Sequence, residues 1–219
     1  MLTSPIFPDY LDDVAALMSA RGVLVPLRSG DYRLRATPAA ASEPRLWLLG
    51  SSMYSARLAA AKGLPYVFAH HFSGNGTEEA LEVYRSRFVP SKLAAEPVTF
   101  LTVNAAVAET RDEATALMLP NLQMMARLRT GQPLGPVPLV EEGQVAELTG
   151  EQQRIVASGL QRAVLGTPAE AAEQVRALAE RFGVDEVMVN PVASAHRGTD
   201  PATAPARIAT LELLAKELF

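Results

Sequence analysis

The chain has 219 residues, 48% of them hydrophobic and 20% charged, with 24 acidic against 20 basic side chains and a net charge of −4. That length buries a substantial core in one domain, residues 1–219, or in two small ones, and the acidic balance without a Lys/Arg cluster argues against a nucleic-acid partner. Zero cysteines exclude a disulfide framework, a thiolate metal site, an iron–sulfur cluster and a cysteine nucleophile, and fit a cytoplasmic setting.

No apolar run reaches the about 18 residues of a membrane span. Asp9 and two prolines within Met1–Tyr10 argue against a signal peptide. Phe7, Tyr10, Leu11, Val14, Leu17 and Met18 recur at helical spacing, so Phe7–Ala20 reads as an amphipathic helix stopped at Gly22. Val23–Leu27 and Tyr32–Ala36 flank Arg28-Ser29-Gly30-Asp31 as a hairpin, and Thr37–Ser42 is a short small-residue linker.

Strand–helix units follow. Arg45–Leu49 is a short apolar strand leading through Gly50-Ser51-Ser52 into a helix over Tyr54–Lys62, ended by Gly63. Leu64–His71 is the second strand, with a helix over Thr77–Phe88 that Thr77, Glu78 and Glu79 open. Val98–Ala108 is the third strand, and Thr110–Leu128 a helix that Pro120 should kink. Arg129–Thr149 is a Gly/Pro-rich loop, Glu151–Val164 a helix, and Thr167–Phe182 a helix with Thr167 as cap and Pro168 in its first turn. Glu186–Asn190 is the fourth strand, His196–Thr203 a loop, and Pro205–Phe219 a closing helix. Alternating apolar strands and helices define an α/β fold with parallel strands. A whole (β/α)8 barrel takes about 250 residues, so four parallel strands fit half a barrel or a small open sheet.

Three constellations could carry chemistry. At Leu49–Ser55 a strand turns into a helix N-terminus beside three serine hydroxyls, a place that suits a phosphate. Serine capping alone explains the same pattern without any ligand. His70 and His71 stand at a strand end, where α/β folds hold ligands; each is a site residue or a satisfied polar residue of the rim. Neighbouring strand residues face opposite ways, so the pair should not share a metal. Asn190 and His196 follow the last strand, where loop capping is the simpler role. Met118, Met124 and Met125 are spaced as helix core. No G-x-S-x-G, G-x-G-x-x-G or Walker loop occurs.

Trp47–Phe72 (WLLGSSMYSARLAAAKGLPYVFAHHF) resembles the central segment of bacterial-luciferase-like flavin monooxygenases. Leu165–Pro168 through Gly183–Val189 is similar to the same family's penultimate helix and last strand, and Arg207–Leu214 to its closing helix. The resemblance implies a partial or truncated (β/α)8 TIM barrel of the luciferase-like type. It further implies reduced FMN, or F420 as in relatives, acting with O2 on a small organic substrate. By position it puts Gly50, Ser51, Ser52, Met53, Tyr54 and Ser55 at the flavin phosphate, and His70 and His71 near the flavin ring as catalytic candidates. The family's first strands have no counterpart in these residues, and Pro191–Pro205 is longer than the family pattern. An open half-barrel exposes apolar strand edges, so a homodimer or a barrel-completing partner chain is expected. A flavin-binding protein without catalysis, or a partner subunit without its own activity, is the alternative to an enzyme.

Overall fold

A computed structural model describes residues 7–38, 41–42, 44–72 and 74–219. The Met1–Ile6 part of the opening segment, Ala39 and Ala40 of the linker, and Ser73 of the loop before Thr77 lie outside the described residues. The chain forms two compact units, one comprising residues 1–68 and 78–99 and the other 69–77 and 100–219.

The first unit opens with α1 (Phe7–Leu17) and the antiparallel pair β1 (Val23–Leu27) and β2 (Gly30–Leu34). Leu27 pairs with Gly30, so the turn is only Arg28-Ser29, and β2 starts and ends two residues earlier than the alternation suggests. The parallel pair β3 (Leu48–Gly50) and β4 (Tyr66–Phe68) is joined by α2 (Met53–Lys62). Three alanines on one face of α2, Ala56, Ala59 and Ala60, are fully buried, letting the helix lie close over both strands. Gly63 ends α2 at φ 60°, a conformation that costs a residue with a Cβ, and a Cβ there would also collide with the Val89 carbonyl. Helix α3 (Thr77–Ser86) supplies Leu81 and Tyr84 to this core. The Tyr84 hydroxyl accepts from Val98 N at 3.1 Å and lies 2.9 Å from the Leu64 carbonyl, tying three segments together.

In the second unit β5 (Thr99–Val107), whose first residue lies at the boundary, runs parallel to both β6 (Val164–Gly166) and β7 (Val187–Pro191). The strand β6 is absent from the sequence reading, which ran the preceding helix through Val164; three residues are too short to show a period of two. Helix α4 (Arg111–Arg129) carries Pro120 and packs on α5 (Val140–Gln144) and α6 (Gly150–Arg162). The Gly/Pro-rich stretch therefore contains a helix of its own, and Gly143 in it is small enough to meet the Pro120 ring. Helix α7 (Pro168–Phe182) has the expected Thr167 cap, completed by Glu170, and packs on β6 and on α8 (Pro205–Leu218). Ala106, Leu117, Met118, Val140, Val156 and Leu165 are among the residues that form the core. The fold is thus α/β, and among the described residues every pairing inside the two units is parallel except that of β1 with β2. Among the described residues no helix is long and apolar enough to cross a membrane.

Candidate functional site

In the first unit, β3 ends at Gly50 and α2 begins at Met53, so Ser51 and Ser52 form the turn. Ser52 is the N-cap, with φ −137° and ψ 157°, and its hydroxyl accepts from Ser55 N at 3.5 Å. The Ser55 hydroxyl donates to the Ser52 carbonyl at 2.7 Å, which spends its one proton. The buried Tyr66 hydroxyl, 3.2 Å away, must then donate to Ser55. A Cβ at Gly50 would collide with that same Ser55 side chain, so glycine is required for β3 to come this close to the helix start. Two of the three serines are therefore committed to the turn, while the Ser51 hydroxyl meets no partner among the described residues. The Met53 and Tyr54 amides, first in the helix, have no acceptor four residues back within it. Capping and anion-binding capacity coexist here: Ser52 caps, and Ser51 with two amides that have no acceptor within the helix stands at the positive end of α2.

In the second unit a cavity of about 140 Å³ opens against Asn104 of β5 and the end of β7. His70, His71, Asn104, Asn190, Arg129 and Arg162 supply its polar lining, and Phe72, Leu122, Met125 and Ile155 part of its apolar wall. Both histidines stand beyond β4, in a turn, so strand alternation does not separate them and both line one cavity. That corrects the expectation of opposite facing. Asn104 and Asn190 are register partners of β5 and β7, and Asn190 Nδ2 donates to Asn104 Oδ1 at 2.8 Å. Asn104 Nδ2 in turn donates to the His71 carbonyl at 2.8 Å, which fixes the turn to the strand.

His70 is only 8% exposed and its Nδ1 lies 2.8 Å from the Thr77 hydroxyl. That hydroxyl donates to the Gly74 carbonyl at 3.0 Å, so it can only accept from His70. Neutral His70 therefore carries its proton on Nδ1 and keeps Nε2 as an acceptor. Burial, reinforced by the positive charges of Arg162 and Arg181, pushes its pKa down to about 4. His71 is held by Thr102 at 2.7 Å through Nδ1, and burial lowers its pKa as well. Arg162 donates to the Ser158 hydroxyl, and burial makes it a weaker base than usual, with Arg129 adding to the effect. Arg129 donates to the Phe72 carbonyl and its guanidinium sits 5.5 Å from the Phe72 ring centre.

Asn190 joins the cavity, but His196 does not; it bonds Glu141 of α5 at 2.9 Å, which lowers the Glu141 pKa. Thr77 is not a cap but the first helical residue, bonded back to Gly74 and to His70. Met118 is core as expected, whereas Met125 lines the cavity. Sequence reasoning missed Asn104, Arg129 and Arg162. Asn104 had a signal, a polar residue inside an apolar strand; Arg162 had none, because its position depends on the unseen β6. No group of three or more His, Asp or Glu residues that could hold a metal ion occurs among the described residues.

The sequence model of the luciferase-like monooxygenase family matches residues 9–186, and the chain belongs to that family. It is 33% identical over 184 residues to the uncharacterized protein YvbT of Bacillus subtilis, covering 84% of this chain and 53% of that protein. It is 31% identical over 163 residues to a luciferase-like monooxygenase of Escherichia coli, covering 74% and 48%. The chain spans about half the length of these curated relatives. Among solved structures, apo-MsnO8 superposes with a TM-score of 0.73 at 24% identity, over 98% of this chain and 61% of that one. The oxygenating constituent of 3,6-diketocamphane monooxygenase of Pseudomonas putida, in complex with FMN, has a TM-score of 0.55 at 16% identity, covering 96% and 61%. An F420-dependent secondary alcohol dehydrogenase with an F420-acetone adduct has 0.60 at 11%, covering 100% and 64%. The fold is accordingly the α/β, partial TIM-barrel type of luciferase-like enzymes.

Proposed function

We propose that the chain is a flavin-dependent oxidoreductase, a monooxygenase using reduced FMN and O2 on a small organic substrate. The observation that carries this reading is the turn from Gly50 to Ser55, in a chain of the luciferase-like monooxygenase family. Its donor set fits a phosphate: the Ser51 hydroxyl, the Met53 and Tyr54 amides, and the proton that Ser52 retains while its oxygen caps the helix. Ser55 and Gly50 shape that cradle from behind. FMN is preferred over F420 as the family's assigned activity is that of a monooxygenase. Reduced FMN, when bound, supplies the electrons for reaction with O2.

The second unit's cavity is read as the substrate site. At about 140 Å³ it suits one ring or a short chain. Neutral His70 is the group suited to take a proton at Nε2 from a substrate hydroxyl or hydrate, and His71, turned by Thr102, orients it through hydrogen bonding. The apolar wall of Leu122, Met125 and Ile155 excludes water around the reacting group. Self-association as a homodimer is part of the same proposal, motivated by the apolar residues exposed in the first unit.

Oxygen consumption by the full chain with reduced FMN, dependent on added substrate and lost in His70→Ala, tests the reading. The alternative is a flavin-binding chain without catalysis, and FMN binding without substrate-dependent oxygen uptake would support it.

A further inference from the structure

Among the described residues, the second unit's cavity is lined by two arginines and no carboxylate. Each guanidinium has five N–H donors, and each spends them on little: Arg129 on the Phe72 carbonyl, Arg162 on the Ser158 hydroxyl. Neither takes part in an ion pair among the described residues, where lysine and arginine pairs join Lys62 to Asp12 and Arg111 to Glu170. The rest of the polar lining, His70, His71, Asn104, Asn121 and Asn190, brings no negative charge. Arg162, partly buried beside the positive charge of the exposed Arg129, is unfavourable without a counter-ion. Structural arginines normally meet this cost with a carboxylate from their own chain. Here that partner is missing while the side chains still face a cavity.

We propose that this cavity binds the anionic group of a small organic acid, with Arg162 and Arg129 as its recognition residues and the apolar wall taking the carbon skeleton. This names the substrate class of the site and rests on reading the cavity as a substrate site. The planar guanidinium fork matches a carboxylate or another oxyanion, and Arg129, pinned over Phe72, is pre-oriented for it. Leu122, Met125, Ile155 and Val192 receive the remainder, and a space of about 140 Å³ limits it to one ring or a short chain.

Calorimetric titration of the full chain with benzoate and with benzamide, alike in size and different in charge, tests it. Benzoate binds roughly tenfold or more tightly than benzamide, less so at high salt, and Arg162→Gln removes the preference while Arg162→Lys keeps part of it. Arg129→Gln weakens it. Equal binding of the two, no binding of either, or a preference that survives both glutamine variants overturns the proposal. Should a variant fail to fold, the wild-type pair and its salt dependence decide. Phosphate is the rival source of the same chemistry. Displacement of benzoate by FMN and by inorganic phosphate, but not by riboflavin, assigns the arginines to the cofactor and overturns the proposal. Failure of the flavin reading is seen separately, as absent FMN binding in a chain whose benzoate response is intact.

Discussion

His70 owes its chemistry to two neighbours and to burial. Thr77, whose proton goes to Gly74, dictates the Nδ1–H tautomer, and burial beside Arg162 and Arg181 keeps the ring neutral. The ring also meets Phe182 edge-on at 5.3 Å, while His71 adds to the cost of a charge. With a native pKa of about 4 below the ordinary 6.5, the unfolded chain takes up the proton first as pH falls. Stability is therefore complete above 6.5 and lost progressively between 6.5 and 4, by up to about 3 kcal/mol. Urea denaturation across that range should show the loss, and His70→Asn, whose amide can still donate to Thr77, should flatten it. An unchanged pH profile in that variant would refute the assignment.

At the scale of elements, the caps dictate where helices begin and end. Thr167 and Glu170 bond reciprocally at the start of α7, so Thr167→Ala should cost about 1 kcal/mol in urea denaturation. Gly63→Ala should cost at least about 1 kcal/mol, because the left-handed backbone and the Val89 carbonyl both oppose a Cβ. These punctuation residues were legible in the sequence, as were the helices they bound, since capping is local chemistry. The strand ends were less so. β4 covers only Tyr66–Phe68 of the apolar run Leu64–His71, because pairing with a neighbour, not apolarity, determines how far a strand extends. The same limitation hid β6 and moved both histidines out of their expected strand into a turn. The Ser51–Ser55 turn was readable because every group that shapes it lies within a few residues, apart from Tyr66. The arginines of the cavity were not, since they converge from two helices that only tertiary packing brings together.

Across the whole molecule the first unit leaves apolar side chains in water. Tyr10 and Tyr32 are each 57% exposed, and Leu24, Leu27 and Leu34 are exposed on the hairpin. Such residues mark contact surfaces when they cluster on one element. Light scattering of the purified chain should find a dimer or larger species, and the double variant Leu24→Lys, Tyr32→Lys should shift it towards monomer. The central claim is that the turn after β3 takes a flavin phosphate. Anaerobic titration of the full chain with reduced FMN and with reduced riboflavin, in wild type and in Ser51→Ala, measures it directly. Ser51 caps nothing and pairs with nothing among the described residues, so its loss should leave stability unchanged. The prediction is that FMN binds roughly tenfold or more tightly than riboflavin and that Ser51→Ala narrows the gap. Equal affinity for the two flavins in the wild-type chain would contradict it.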